Sequence, residues 1–354
     1  MEGLLLSEIT QEPMVDGRSI LSVGISYKPV RGGVAAVENT YSTFCKPYNH
    51  VASASAGGRL NKLFYFLLAV LKFLGWMLFR REIKIVHIHG ASNASFWRKR
   101  VFIYLAYAFG KKIVYHVHGG KFNFFAQKHM NAVEKTISKC DCIVALSESW
   151  KEYFNSTFPN VRVEIIHNVI ENPVKKKQNR QEFTLLFMGL LGQNKGIYDL
   201  LDVIKENKSY FGGRLRLLIG GNGEVNKVKA TIDRDGLSDI VSYEGWVSGK
   251  RKQNLFNMSD ALILPSYNEG LPLCVLEALS YDIPVIATRV GGIPEIVHNE
   301  KNGYLIEPGD KNAMYMAIVE AMENRYKPIR GGVETYLPSY VAVQLNTLYK
   351  SLLS

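Results

Sequence analysis

The stretch ALILPSYNEGLPLCVLEALSYDIPVIATRVGGIPE, residues 261–295, holds one complete unit of the pattern that decides the fold. Its first four residues are apolar and predict a buried strand, which a loop over 265–271 follows. Pro272 suits the first turn of a helix, because its missing N–H would lack a partner there anyway. Residues 284–287 then predict a second buried strand. Buried strands that alternate with helices are typical of a parallel sheet covered on both faces.

The same alternation of strand and helix runs along most of the chain. Ten strands are predicted, at 19–26, 83–89, 112–118, 141–146, 162–166, 183–188, 215–219, 240–243, 261–264 and 284–287. A polar segment with a proline and a lysine cluster, 172–182, separates the two series and predicts a linker. The fold class is therefore α/β, with two Rossmann-like doubly wound domains facing a central cleft. Ligands of such sheets bind at the carboxyl ends of the strands.

Composition and charge limit the classes of function. The chain has 354 residues, of which 47% are hydrophobic and 21% charged, as in globular proteins. A net charge of +11 favours anionic partners such as nucleotides, diphosphates, nucleic acid or an acidic membrane face. The four cysteines have neither disulfide-framework nor metal-site spacing, which predicts a reducing cytosol. No basic segment followed by an apolar core begins the sequence, so we expect no secretory signal.

Two carboxylates flank the predicted helix start in the opening stretch. Glu269 lies in the loop, and Glu277 lies further along the helix. The N-terminal N–H groups of a helix form an anion site. A carboxylate beside a bound phosphate would repel it, so Glu269 should face a neutral, hydroxylated group. This arrangement suits a nucleotide sugar, with one carboxylate for the sugar hydroxyls and the other for the ribose.

The spacing Glu269-x7-Glu277, with Gly-Leu-Pro after the first glutamate, resembles the signature of retaining glycosyltransferase family 4, which has the GT-B fold. The resemblance extends from about residue 19 to the end of the chain. Further similar segments are the sugar-donor diphosphate loop at 187–196, the turn GGIPE at 291–295, the histidine segment HVHGG at 116–120, and the glycine pair at 32–33. Within the family, the closest resemblance is to enzymes that build bacterial surface polysaccharides such as O-antigen or capsule.

The resemblance implies a role for each matching residue. Glu269 would bind hydroxyls of the donor sugar, Glu277 the ribose, and Lys195 the diphosphate, while His118 would face the sugar. Glu269, His118 and Lys195 are thus the implied catalytic residues. The other implied contacts to the sugar donor are Gly32, Gly33, Gly189, Val247, Gly270, Leu271, Pro272 and Leu273. No metal and no cofactor is implied, because the nucleotide sugar is a substrate.

The sequence departs from the family at Leu190, where an arginine usually follows the glycine of the diphosphate loop. A charge-assisted hydrogen bond, which contributes about 1.5–3 kcal/mol, is missing unless another cation replaces it. Lys195 would then carry more of the interaction. Two outcomes stay open for Leu190: its side chain reaches the cleft, or it packs in the core.

We therefore predict a retaining, metal-independent glycosyltransferase whose donor is a nucleotide sugar, namely a UDP-sugar, and whose glycan acceptor is polyprenyl-diphosphate-linked. No nucleic acid partner is expected, and the predicted location is cytoplasmic or peripheral on the cytoplasmic membrane face. The domain assignment is a poorly ordered extension over 1–18, an acceptor-side domain over 19–173, a nucleotide-sugar domain over 174–332, and a returning helix over 333–354. The alternative is a non-catalytic sugar-nucleotide-binding or scaffold protein of a polysaccharide assembly complex. An epimerase of similar fold is disfavoured by the glutamate pair.

Three other short motifs have competing interpretations. His87 and His89 alternate on one strand, but without an evident third ligand we interpret them as core residues rather than a metal pair. Asp233-x-Asp235 resembles a metal motif, yet it precedes a glycine at a helix end and indicates a surface turn. Residues 220–223 (GGNG) lack the rest of a dinucleotide fingerprint and indicate a tight turn.

The apolar segment 64–79 is sixteen residues long and is interrupted by Lys72, which is short for a membrane span. Basic residues flank it, among them Arg80 and Arg81. Such a helix can lie on an anionic membrane or can be a buried crossover helix, and both interpretations remain open.

Overall fold

The structure is a computed structural model that describes residues 14–30, 32–54, 59–176, 181–299, 301–324 and 332–354. The N-terminal half holds strands β1 (Val15–Asp16), β2 (Ile20–Gly24), β3 (Cys45–Lys46), β4 (His50–Ala52), β5 (Ile85–Gly90), β6 (Lys112–Val117), β7 (Cys142–Ala145) and β8 (Val163–Ile165). Its helices are α1 (Gly33–Phe44), α2 (Arg59–Phe79), α3 (Ala94–Ala108), α4 (Phe122–Lys128), α5 (Met130–Ile137) and α6 (Glu148–Thr157).

The C-terminal half repeats the design. Its strands are β9 (Phe183–Met188), β10 (Leu215–Gly220), β11 (Val241–Gly245), β12 (Ala261–Leu264), β13 (Val285–Thr288) and β14 (Gly303–Ile306). Its helices are α7 (Ile197–Glu206), α8 (Lys208–Phe211), α9 (Val225–Arg234), α10 (Gly249–Met258), α11 (Leu273–Ser280), α12 (Ile293–Ile296), α13 (Lys311–Glu323) and α14 (Pro338–Leu353).

Each half is built on a six-stranded parallel sheet. The strand orders are β4-β2-β5-β6-β7-β8 and β11-β10-β9-β12-β13-β14. In the first sheet the chain order reverses between β2 and β5, and in the second it reverses between β9 and β12. Crevices at the carboxyl ends of such strands are the usual ligand sites of doubly wound sheets. The predicted α/β fold of two Rossmann-like domains is confirmed.

The predicted strands agree with the structure at 183–188 and 261–264, and the others differ from it by one or two residues at one or both ends. Two edge strands, β4 and β14, were not predicted. Each has three or four residues and only one or two fully buried side chains, so neither shows the continuous apolar run of a central strand.

The prediction that residues 1–18 are a poorly ordered extension is wrong for 14–18. Val15 and Asp16 form β1, which pairs in parallel with Cys45 and Lys46. Val15 is buried in a cluster that contains residues of α14, and the Asn346 side chain donates a hydrogen bond to the Met14 carbonyl oxygen. Strand pairing, the buried Val15 side chain and this hydrogen bond together hold the segment. Residues 1–13 lie outside the described residues.

Helix α14 packs on the N-terminal domain, although it follows the C-terminal domain in sequence. Its buried residues Val341, Leu345 and Leu348 share a core cluster with Ile85 and Val114 of the N-terminal sheet. The last segment of the chain thus ties the two halves together.

Helix α2 combines a buried face with an exposed apolar face. Ala69, Phe73 and Met77 are buried against the N-terminal core. The exposed large apolar residues of the helix are Leu63, Phe64, Tyr65, Leu67, Leu68, Leu71, Leu78 and Phe79. The alternative that α2 is a buried crossover helix is therefore wrong, because only its inner face is buried. Among the described residues, no helix has the length and apolarity required to cross a bilayer.

Candidate active site

A cavity of about 440 Å³ lies between the two domains, which is within the usual range for small-molecule sites. Its wall includes every residue to which the sequence assigned a contact with the sugar donor: Gly32, Gly33, His118, Gly189, Lys195, Val247, Gly270, Leu271, Pro272, Leu273 and the two glutamates, Glu269 and Glu277. The structure thus brings together residues from both domains that are up to 245 positions apart in sequence, between Gly32 and Glu277.

The N-terminus of α11 forms part of the cavity wall. Pro272 has extended backbone angles and lies immediately before the helix, one position earlier than a first-turn residue. Leu273 and Cys274, in the first turn, also line the cavity. The first N–H groups of a helix have no partner within the helix. They therefore make this end of the cavity suitable for an anion.

Glu269 and Lys195 form an ion pair across the cavity wall. The Lys195 ammonium donates to Oε1 of Glu269, and the Ser266 hydroxyl donates to the same oxygen over 2.7 Å. The Glu269 side chain is 8% exposed and the Lys195 side chain 22%. The pair is largely desolvated, so removal of either partner would leave a nearly buried charge without its counterion.

Glu277 has a basic partner that the sequence reasoning missed. The Lys252 ammonium, on α10, lies 2.5 Å from Oε1 of Glu277 and lines the same cavity. Burial alone would lower the pKa of Lys252, but the charge and hydrogen bond of Glu277 outweigh it and raise that pKa. Lys252 belongs to the basic run Lys250-Arg251-Lys252, and nothing in the sequence distinguishes the one lysine that turns inward.

Leu190 lies on the cavity wall and is 59% exposed. The alternative that it packs in the core is therefore wrong. The basic residues of the cavity are, within the described part of the chain, Lys195 and Lys252, and each is paired with one of the two glutamates. Arg31, next to the glycine pair of the opposite domain, is the other candidate to replace the missing arginine, and it lies outside the described residues.

His118 is the part of a larger histidine cluster that reaches the cavity. Burial lowers its pKa to about 4, and the neighbouring Asn168 side chain opposes this shift only in part. His118 is therefore neutral at pH 7. Asn168 also lines the cavity, and its amide donates a 2.7 Å hydrogen bond to the Leu271 carbonyl oxygen in the adjacent loop.

His116 on β6 lies beside His87 and His89 as a third possible ligand, which the sequence did not indicate. One ring nitrogen from each of the three lies within 4.8 Å of the others. All three are buried. Burial, the other histidines and the Lys99 ammonium all lower the pKa of His89. A divalent cation here would be buried next to Lys99 at a high desolvation cost, so we retain the interpretation of a hydrogen-bonded core cluster.

The turn GGIPE, residues 291–295, joins the two domains. The Glu295 carboxylate accepts hydrogen bonds from the backbone N–H of Glu148 at 2.9 Å and of Ser149 at 3.0 Å, and from the Ser149 hydroxyl at 2.6 Å. Both are first-turn residues of α6 in the N-terminal domain. A carboxylate at a helix N-terminus is stabilising, so Glu295 acts as a cap supplied by the opposite domain.

Two glycines at the domain boundary are required by close backbone approach. A Cβ on Gly120 would lie 2.2 Å from the carbonyl carbon of Glu269. A Cβ on Gly291 would lie 2.2 Å from the carbonyl oxygen of Glu269, and Gly291 has a φ of 55°. The absence of a side chain at both positions therefore allows this close approach to the loop that carries Glu269.

Two other predicted turns lie where the sequence placed them. Asp233 is exposed near the end of α9, and Asp235 pairs with Arg234 and Lys205; the pair does not line the cavity. Residues 220–223 connect β10 to α9, and Gly220, Gly221 and Asn222 also line the cavity, which the sequence did not indicate. Trp246, beside Val247, is a further cavity residue that was missed.

Comparison with known proteins assigns the two halves to family models. Residues 35–172 match Glycosyltransferase Family 4, and residues 168–331 match Glycosyl transferases group 1. An uncharacterized 41.2 kDa protein in the cps region of Klebsiella pneumoniae is 25% identical over 83% of this chain and 87% of its own. A putative colanic acid biosynthesis glycosyltransferase, WcaL of Escherichia coli, is 28% identical over 40% of this chain and 36% of its own.

Among solved structures, HepE from Anabaena in complex with UDP-glucose superposes with a TM-score of 0.72 at 17% identity, over 94% of this chain and 98% of that one. This likeness supports the fold. The two family models together extend over residues 35–331, and residues of both matched segments line the cavity. The chain belongs to the family 4 and group 1 glycosyltransferases and has the GT-B fold.

Proposed function

We propose that the protein is a retaining, metal-independent glycosyltransferase that transfers a sugar from a UDP-sugar to a lipid-linked glycan acceptor in the synthesis of a surface polysaccharide. The observation that carries this proposal is the pair of Lys–Glu contacts on either side of the α11 N-terminus, within one cavity between two Rossmann-like domains. The relatives named for colanic acid biosynthesis and for the cps region support the polysaccharide. The UDP-glucose complex of the HepE structure supports the UDP-sugar.

The cavity offers a separate environment to each part of such a sugar donor. The diphosphate would lie at the α11 N-terminus, near the Lys195 ammonium, where N–H groups and a cation favour negative charge. Glu269 and His118, on the same wall, would contact hydroxyls of the sugar. Glu277 lies one turn further along α11 and would accept from the ribose, because a carboxylate there is kept away from the phosphates.

Retention follows from front-face transfer in this arrangement. The acceptor oxygen would attack the anomeric carbon from the side that the diphosphate leaves, the bond from that carbon to the phosphate oxygen would break, and the departing phosphate oxygen would take the acceptor proton. Lys195 and the α11 N–H groups would stabilise the charge that develops on the diphosphate. They supply the positive charge that a divalent cation supplies elsewhere, so transfer should continue in EDTA.

The acceptor side of the proposal rests on helix α2. Its outer face exposes eight large apolar side chains of the N-terminal domain, a patch of a kind that marks an interaction surface. Arg80 and Arg81 follow this face, and both are exposed. An apolar helix face edged by basic residues fits the surface of an anionic membrane. Such a position would bring the cleft to an acceptor that is anchored in the membrane.

Three measurements test the proposal. Among UDP, ADP and GDP, only UDP should raise the melting temperature and bind tightly in calorimetry. The shift should be measurable, because a ligand at 100 times its Kd stabilises the fold by about 2.7 kcal/mol. Transfer to an isolated polyprenyl-diphosphate glycan should keep the anomeric configuration and survive EDTA. Tight UDP binding without transfer would indicate the non-catalytic alternative, and loss of activity in EDTA that manganese restores would contradict metal independence.

Membrane binding is tested separately with vesicles. The protein should sediment with anionic vesicles at low salt and be released at high salt, because salt screens the basic residues. Leu71→Asp, on the exposed face, and the pair Arg80→Ser with Arg81→Ser should each reduce sedimentation. Met316→Asp on α13 of the C-terminal domain is the matched control, since Met316 is 62% exposed and lies away from α2 in the sequence. Equal sedimentation of all variants would contradict a role for α2.

A further inference from the structure

Four histidines form a continuous array inside the N-terminal domain. His87 and His89 lie on β5, and His116 and His118 lie on β6. Residues two apart on a strand share a face, and His89 is the register partner of His116. The rings stack, with centroids 4.5 Å apart for His87 and His89 and 4.2 Å apart for His116 and His118. Of the four histidines, only His118, which lines the cavity, has a role in the proposed reaction.

The array divides into two hydrogen-bonded pairs. Nδ1 of His89 lies 3.0 Å from Nε2 of His118. Nε2 of His87 lies 3.2 Å from Nδ1 of His116, and Nδ1 of His87 lies 2.6 Å from the hydroxyl of Tyr349 on α14. The first pair reaches the cavity through His118. The second pair ends on α14 and has no residue in the cavity wall.

Burial restricts where the hydrogen atoms of the first pair can lie. Low pKa values keep both rings neutral, so each carries one N–H. Nε2 of His89 is buried and lacks a hydrogen-bond partner among the described residues. If His118 donated to His89, the hydrogen of His89 would lie on that unpartnered Nε2. Unpaired buried N–H groups are rarer than unpaired buried acceptors, so the favoured arrangement has His89 donating from Nδ1.

We propose that His89 is a positioning residue for the transfer reaction: it donates from Nδ1 to Nε2 of His118, which places the single hydrogen of His118 on Nδ1. His118 then enters the reaction as a hydrogen-bond donor with a fixed ring plane, not as a base. Its Nδ1–H is available to the Asn168 side chain or to a sugar hydroxyl. A hydrogen bond made by one ring nitrogen sets the state of the other. The effect on activity rests on the proposed function, whereas the tautomer does not.

The array provides its own matched control. His89→Leu removes the hydrogen bond to His118 at nearly constant volume, and His89→Asn restores an N–H near the position of Nδ1. His87→Leu makes the same change in the second pair, which does not line the cavity. His87 and His89 are equally buried, each with 1% of its surface exposed. Long-range 1H–15N spectra of histidine-labelled protein report the tautomer directly, with the His118 signals assigned from a His118→Gln variant.

The expected result has two parts. His118 should be the Nδ1–H tautomer in the wild-type protein, in His87→Leu and in His89→Asn, and should change tautomer or become mixed in His89→Leu. His89→Leu should lower kcat by about 10- to 100-fold, as for a misplaced catalytic group, with the affinity for UDP unchanged, while His87→Leu should keep kcat. An Nε2–H tautomer in the wild-type protein, or an unchanged His118 signal in His89→Leu, would overturn the proposal. If the wild-type protein shows no transfer, the proposed function is refuted, whereas the tautomer result is unaffected.

Discussion

Acid should destabilise the N-terminal domain steeply, because its sheet buries neutral histidines. Burial lowers the pKa of His87 to about 3, and burial together with neighbouring histidines lowers the pKa values of His89 and His116 well below their ordinary value. In the unfolded chain these rings titrate near pH 6.5. Between that pH and the native pKa values, the unfolded state binds more protons. The stability of the domain therefore falls as the pH falls below about 6.5.

The magnitude follows from proton linkage. At pH 5 an unfolded histidine is almost fully protonated, while native His87 remains neutral. The difference is worth about 1.36 kcal/mol per pH unit below 6.5, so between pH 7 and pH 5 His87 alone removes about 2 kcal/mol. His89 and His116 add losses of the same sign. Because a domain has a free energy of unfolding of only about 5–15 kcal/mol, the loss should be visible in any unfolding curve.

Urea unfolding at pH 7 and pH 5 measures this effect. Three of the four tryptophans, Trp76, Trp97 and Trp150, lie in the N-terminal domain, so a Trp246→Phe background makes the fluorescence specific to that domain. In this background His87→Asn should reduce the pH dependence by about 2 kcal/mol, even though it lowers stability at pH 7. An unaltered pH dependence in His87→Asn would refute the reasoning.

The remaining predictions concern the cleft. Glu269→Gln should cut transfer strongly and leave UDP affinity nearly unchanged, whereas Glu277→Gln should weaken UDP binding itself; calorimetry and a transfer assay check this, and equal binding losses would contradict the division of roles. Lys195→Ala should cost about 3 kcal/mol of transition-state stabilisation, measured as kcat/KM, and a loss below tenfold would show that another cation holds the diphosphate. Leu190→Arg should fold normally, because Leu190 is exposed, and should raise UDP affinity; an unchanged affinity with an unchanged melting temperature would mean that the missing arginine already has a substitute. Glu295→Ala removes the cap on α6 and should lower the free energy of unfolding by about 1–2 kcal/mol, with a smaller loss in Glu295→Gln. Glu295→Ala should also open the cleft and increase the radius of gyration measured by small-angle scattering. An unchanged radius of gyration would contradict a role of Glu295 in holding the domains together.

The sequence was sufficient for the fold because its central strands are continuous apolar runs, which have few alternatives to a buried parallel sheet. Ala261–Leu264 and Phe183–Met188 were predicted to the residue for this reason. The edge strand His50–Ala52 was missed because a strand with one covered face and three residues carries little pattern. The order of residues 14–18 was missed because it depends on a contact between Val15 and a helix more than 300 residues later.

The residues that line the cavity could be predicted when they belong to a recognisable sequence motif, and the other cavity residues could not. Glu269 and Glu277 were found from their spacing around a helix start. Lys252 was not, because its selection from a basic run depends on which side of α10 faces Glu277. The histidine array was missed for a similar reason: two His-x-His motifs, 27 residues apart from His89 to His116, become one cluster only through the strand register. Pairing between distant elements is information that a single sequence does not display locally.

The charge balance of the cleft explains how such a site can stay ordered before its substrate arrives. Lys195 and Lys252 contribute two positive charges to the described wall, and Glu269 and Glu277 contribute two negative charges, so the pairs neutralise each other. An ammonium group has three N–H donors, and a hydrogen bond to one carboxylate oxygen uses one of them. Lys195 can therefore donate a second hydrogen bond to a phosphate oxygen while it keeps its bond to Glu269, and Lys252 remains the partner of Glu277. A diphosphate would then bind without leaving either glutamate as an isolated buried charge, which would cost several kcal/mol. Under the proposed function each glutamate would serve first as the counterion of a lysine and then, with the sugar donor bound, as an acceptor for hydroxyls, and the α11 N-terminus would supply the remaining positive potential.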